Sequence, residues 1–553
     1  MSRRERNAAR EVTTTRRSIV KIGATLGALG VTGLAGCVGD DGDSEENDSD
    51  ITSPDIEPDE ITRGGTFRVG AEEGVQTISP FEGFRADYIL SEVMYDRLTR
   101  VNRELEAEPN LAEEWDHNDE FTEWTFSLDE DATFANHDGE PVTAEDVKAT
   151  YEYLTSDDFA GAIESISDVQ SVSVIDEQTV DIVLESPDVS FPRRIAETGG
   201  VFFIAPKTVL EDDPSRLEDT DYGSGPLTLA DWDVQNRLVF EANTEYHVEG
   251  IDDDPLPYVD ELEWEILSDP IQRANSLADG NIDAIHRTPA TVVDRLQDDS
   301  QVVTQPSGQQ FPIILNTTVE PFDDELVRRA IKHAMDRSEF VAGVQGDGIL
   351  GHHSAVTPVN VHYNDELPEG DTFGTTAQPD EARDLLSEAG YEDGFEVKPL
   401  HYGDAFPQRE TIAQLFQQQM AEVGIEFEIN QLTEETWLSD YWNQDGVWYI
   451  GDYGTRVLGS TIPRLALRSE GPWNEANWSN DEYDEAYHAA ANATDPETLA
   501  ENLKECQRIN HRQGAWVGTY HPTLYAAHKD YVQNYRPYPT HHKDYVSEAA
   551  VDE

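Results

Sequence analysis

Two cysteines, Cys37 and Cys506, are all the sulfur the chain offers for nucleophilic or metal chemistry, and so few exclude a disulfide framework or a cysteine metal site. Cys506 falls in a helical pattern with Leu503 and Ile509, where it is expected as a small core residue. The signatures His-Glu-x-x-His and Gly-x-Ser-x-Gly do not occur, nor does a cysteine-nucleophile context. A secreted acidic hydrolase is the competing enzyme class, but among 113 Asp and Glu residues any carboxylate pair could be named for catalysis, which leaves that idea without specificity. His352-His353 reads as a solvated loop pair, with metal or metallophore contact as the other reading, because no carboxylate or third histidine stands at ligand spacing. The side chains of Trp437, Trp442, Trp448, Trp473 and Trp478 could stack on sugars or peptide side chains, or simply fill a core. Asn316, Asn477 and Asn492 open glycosylation acceptor tripeptides. Nothing calls for a cofactor.

Charge narrows the partners. The 553 residues carry 38 Lys+Arg against 113 Asp+Glu, a net charge of −75, with arginine supplying most of the basic groups. Such a surface repels itself in dilute buffer, whereas in molar salt the screening length falls to about 3 Å. The carboxylates are scattered through every segment, which fits a hydrated, salt-adapted surface. No basic patch exists to meet nucleic-acid phosphates. A hydrophobic fraction of 37% rules out wholesale disorder, and the length demands two or three lobes.

The N-terminus reads as an address. Arg16-Arg17 precede an apolar run from Ile22 to Ala35, and Leu34-Ala35-Gly36-Cys37 closes it. Paired arginines ahead of a short apolar stretch resemble a twin-arginine export signal, and the last four residues resemble a lipobox in which Cys37 is lipidated after cleavage. The run is shorter than the ~20 residues a permanent span needs. Residues 1–36 are therefore expected to be removed, leaving a charge of about −80. Residues 37–63 follow as an acidic, self-repelling tether.

The elements of the body alternate. Thr143 caps a helix with Asp146 at its third position, and Val147, Tyr151 and Leu154 share one face. Val180, Ile182 and Leu184 alternate as a strand paired with 169–175. Residues 379–390 form a helix with Ala382, Leu385, Leu386 and Ala389 on one side. Ile412, Leu415, Phe416, Gln419 and Val423 trace another, ended by Gly424, and Ile425, Phe427 and Ile429 then alternate as a strand. Interleaved strands and helices give an α/β class.

Five segments in order resemble the family 5 extracellular solute-binding proteins, the dipeptide- and oligopeptide-binding receptors of ABC transporters, here of the haloarchaeal lipoprotein type. They are Pro109-Asn110-Leu111-Ala112-Glu113-Glu114-Trp115; Phe134 to Val147 with its Asp138-Gly139 turn; Gly225-Pro226, Trp232, Asn243 and Tyr246; Pro321 to Ile331; and Ala382 to Tyr391. The resemblance implies a periplasmic-binding-protein type II clamshell: two hinged lobes plus an extra inserted domain. It assigns 64–87, 200–312 and 518–553 to lobe I, 88–199 to the extra domain, and 313–517 to lobe II.

The same resemblance implies a monomeric receptor without catalysis, anchored on the outer face of the cell membrane, that hands a small peptide to permease subunits. An oligosaccharide or a nickel complex is the alternative ligand, and sensing the alternative role. In the family a buried aspartate after a Trp-x-x-Asp stretch holds the ligand ammonium, which maps onto Tyr449-Ile450-Gly451-Asp452 and makes Asp452 the anchor, with Tyr449 stacking beside it. Tyr402, Phe84, Arg85 and Arg456 complete the expected ligand-binding set, the two arginines as substitutes for the carboxylate-holding arginine that dipeptide-specific relatives carry before the 409–423 helix.

Overall fold

The computed structural model describes residues 56, 58, 60–75, 77–81, 86–137, 139–157, 159, 164–196, 202–234, 236–296, 300–367, 373–540 and 546–552. Residues 1–37, most of the tether, Phe84 and Arg85 lie outside them, and with them Cys37.

Three sheets organise the chain. The largest has eight strands. At its centre Thr66–Ala71 runs parallel to Glu261–Ile266 and to Ala284–Ile285, and His521–His528 pairs antiparallel with Ala284–Ile285 and with Gln301–Pro306. Phe67, Val69 and Ala71, alternate residues of its central strand, share one buried face, while Thr66 and Arg68 on the other are half-exposed and Arg68 pairs with Glu263. A second, four-stranded sheet is built from Ala112–His117, Glu123–Leu128, Val169–Val174 and Thr179–Leu184, with the last two forming the hairpin that their alternation predicts. The capping box also forms: Thr143 donates its N–H (2.9 Å) and its hydroxyl (2.6 Å) to Asp146, opening the Ala144–Leu154 helix.

The third sheet has five strands in the order Ile429–Leu432, Leu400–Gly403, Tyr449–Ile450, Ile313–Ile314, Trp516–Val517. It has its own apolar core, in which Phe322, Phe416, Phe427 and Trp448 pack edge to face. The chain passes between the largest and the third sheet twice along neighbouring strands, at 307–312 and at 518–520. Gly348–Ile349, far from either passage in sequence, also pairs with His521–His528 of the large sheet.

Three sequence expectations need correction. The alternating strand at 425–429 is two short strands, Ile425–Glu426 and Ile429–Leu432. His352 and His353 are buried, not solvated: His352 stacks on Tyr363 at 4.4 Å and His353 on His511 at 5.3 Å. Asn316 is fully buried and its amide donates to the carbonyls of Gln444 (3.2 Å) and Glu475 (2.9 Å), so it is no sugar acceptor in the folded protein. Cys506 is buried as expected, and burial pushes its thiol up to about 12. Trp437, Trp448 and Trp478 fill the core, while Trp442 and Trp473 are only partly covered.

Candidate functional site

Asp452 follows the Tyr449–Ile450 strand and lies against the first passage between the sheets. Gly451 donates its N–H to the Pro312 carbonyl (2.9 Å), and Tyr453 and Gln310 exchange backbone hydrogen bonds at 3.0 and 2.9 Å. The Asp452 carboxylate accepts from Gln309 Nε2 at 3.1 Å and stands 3.9 Å from Arg409 Nη2, with its side chain 16% exposed. Thr455 continues the attachment, accepting from Gly308 N–H (2.9 Å) and donating to the Pro539 carbonyl (2.7 Å). A side chain at this point is therefore fixed relative to both sheets.

Arg409 is the residue that sequence reasoning missed. It occupies the first turn of the Pro407–Glu422 helix on the buried face, ahead of Ile412, Ala413 and Phe416. Its guanidinium is 1% exposed and lies 4.6 Å from the Trp437 ring centre and 5.0 Å from that of Phe406. Nη1 donates to Glu434 at 2.8 Å and to the Gly403 carbonyl at 3.2 Å. The approach requires glycine, since a Cβ on Gly403 would come within 2.1 Å of the Glu434 carboxylate. An arginine in the apolar period of a helix was the available signal, because such a cation must be satisfied from neighbouring elements. Arg409, Glu434 and Asp452 together carry one net negative charge, a suitable complement to a ligand cation.

The other expected residues divide. Tyr449 is fully buried, edge-on to Trp437 at 5.7 Å, and its hydroxyl accepts from Asn443 N–H at 3.3 Å; burial raises its pKa well above the usual range. Tyr402, also buried, lies one strand away. Both are buried in the core of the third sheet and offer no open stacking surface. Arg456 diverges from Asp452 and lines a cavity of about 190 Å³ together with Asp168, Asp188, Arg194, Arg464 and Tyr487; Asp452 is not on that wall. Phe84 and Arg85 lie outside the described residues.

Glu475 is 1% exposed and accepts from Trp442 Nε1 at 2.5 Å and from the Tyr453 hydroxyl; burial raises its pKa to about 7. Two buried histidines tie the passages down. His353 Nδ1 accepts from Gly518 N–H at 3.0 Å, and His521 Nδ1 donates to the Gln309 carbonyl at 3.1 Å. Burial lowers both pKa values, that of His521 to about 4, which keeps the rings neutral.

Comparison with known proteins decides the class. Residues 106–470 match the family described as "Bacterial extracellular solute-binding proteins, family 5 Middle". The chain belongs to this family. As a family 5 solute-binding protein it is 24% identical over 447 residues to the dipeptide-binding protein DppE of Bacillus subtilis, covering 74% of this chain and 78% of that protein. It is 25% identical over 490 residues to heme-binding protein A of Haemophilus influenzae, covering 80% and 84%. Its fold superimposes with a TM-score of 0.69 on the Bacillus subtilis oligopeptide-binding protein AppA in complex with a nonapeptide, at 20% identity, covering 89% of this chain and 100% of that one. The family 5 solute-binding protein thus has the α/β fold of a type II clamshell, two hinged lobes with an extra inserted domain.

Proposed function

We propose that the protein captures short peptides outside the cell and delivers them to the permease of an ABC importer, with Asp452 receiving the peptide's α-ammonium group. The observation that carries this reading is the position of Asp452 against the 307–312 passage between the sheets, held by Gln309 and Arg409 inside a cluster of net negative charge. Relatives named for dipeptide and di/tripeptide binding support the ligand class. An exposed ion pair contributes almost nothing in molar salt, whereas a pair sealed between closed lobes is screened far less. In this reading 64–87, 200–312 and 518–553 act as lobe I, 88–199 as the extra domain and 313–517 as lobe II. The protein works without catalysis, as a monomer, exported by a twin-arginine signal and anchored through Cys37 in the membrane of a salt-adapted cell.

Asp452→Ala should weaken peptide binding by about 2–5 kcal/mol, because the ammonium would be buried without its partner. Calorimetry in molar salt measures it directly. Unchanged affinity would remove Asp452 from the site.

A further inference from the structure

Arg409 faces two carboxylates from the interior and is hydrogen-bonded to one of them. Its Nη1 donates to Glu434 at 2.8 Å and to the Gly403 carbonyl, its Nε is buried without a hydrogen-bond partner, and its Nη2 stops 3.9 Å from Asp452, beyond hydrogen-bond reach. The Trp437 and Phe406 rings flank the guanidinium at 4.6 and 5.0 Å and restrict how it can turn. Glu434 is itself fixed. It opens the Glu434–Asp440 helix after the Thr433 cap, donates its N–H to Asp404 at 2.9 Å and accepts from Ala405 N–H at 3.4 Å. Its carboxylate fills the space that Gly403 leaves by lacking a Cβ.

A buried guanidinium needs an anionic partner. If Glu434 lost its charge, Asp452 would be the carboxylate left within 4.0 Å of Arg409 among the described residues. A shift of about 1 Å would then close that pair. Asp452 would be neutralised from the inside, and a ligand ammonium would meet a site of no net charge. Salt cannot stand in for Glu434, because ions screen exposed charges and Arg409 is 1% exposed. Asp404 is exposed, so brine screens its field at the site. We propose that Glu434 is a positioning residue for the ammonium site: it holds Arg409 away from Asp452 and so reserves the Asp452 charge for the cationic end of the ligand. This rests on the reading of Asp452 as the ammonium receptor and adds the group that keeps the receptor negatively charged.

The test compares alanine peptides of two to five residues with analogues in which hydrogen replaces the α-amino group of the first residue. Both are titrated calorimetrically into the mature protein in molar salt. The unmutated protein should prefer the amino form by at least about thirtyfold. Glu434→Gln keeps an acceptor for Arg409 and Ala405 but removes the charge, and should cut that preference about tenfold. Adding Arg409→Gln removes the competing cation as well, and should return the preference to within about threefold of the unmutated value. Loose packing cannot produce that recovery, since the second substitution only removes further contacts. Each ratio is read within one protein, so Glu434→Gln alone decides if the double variant does not fold. A preference unchanged in Glu434→Gln, or one that stays lost in the folded double variant, would overturn the role of Glu434 while leaving Asp452 as the ammonium receptor. Equal affinity for the two forms in the unmutated protein, or binding of no peptide, would overturn the ammonium reading and the role of Glu434 with it.

Discussion

Glu475 sits 1% exposed, accepting from Trp442 and Tyr453, and its pKa of about 7 reflects loss of hydration. Between the ordinary glutamate value and about 7 the folded chain therefore binds a proton that the unfolded chain has released. Stability falls as pH rises through that window and levels off above it. The loss should be about 3 kcal/mol between about pH 4.5 and about pH 8. Glu475→Gln keeps an acceptor for the tyrosine and the indole but cannot ionise, so its denaturant midpoint should lack this component. An equal pH slope in both proteins would contradict the assignment. At this scale the sequence was only partly legible. The family match placed Asp452, but Arg409 and Gln309, which position it, come from segments 43 and 143 residues away. His352, His353 and Asn316 misled because polar type suggests solvent, whereas each satisfies backbone groups in the interior.

At the scale of elements, local signals were reliable where one short-range interaction fixes the geometry. The Thr143–Asp146 box and the hairpin of 169–184 both formed. The strand expected across 425–429 failed for a reason that lies in its partner. Phe395 stands opposite Ile425, but Leu400 stands opposite Ile429, so the 395–400 stretch carries one residue more than its neighbour. Pro399 in that stretch has no N–H to continue the ladder, and the strand breaks there. Gly394 makes the entry to this region possible. Its φ is +78°, and a Cβ there would lie 2.2 Å from the Gly424 carbonyl oxygen. Gly394→Ala should cost at least about 2 kcal/mol of stability, from left-handed strain plus the clash. Urea unfolding in molar salt tests this, and an unchanged midpoint would show that the loop shifts freely.

For the whole molecule, five short motifs spread over almost three hundred residues sufficed to indicate the clamshell, because they specify framework turns and helices that recur with the fold. Ligand identity was less legible, since it depends on side chains brought together from distant segments. The N-terminal signals make a separate claim about where the molecule resides. Cys37→Ser removes the group to be lipidated, so the variant should leave the membrane fraction and appear in the medium. Continued sedimentation with membranes in a fractionation assay would count against the anchor. The central claim, that the cleft holds a short peptide, is tested most directly by native mass spectrometry of the protein taken from the cells that make it. The account predicts a one-to-one complex that releases short peptides with a free amino end on unfolding. Release of a haem, a sugar or a metal chelate in the same stoichiometry would contradict it.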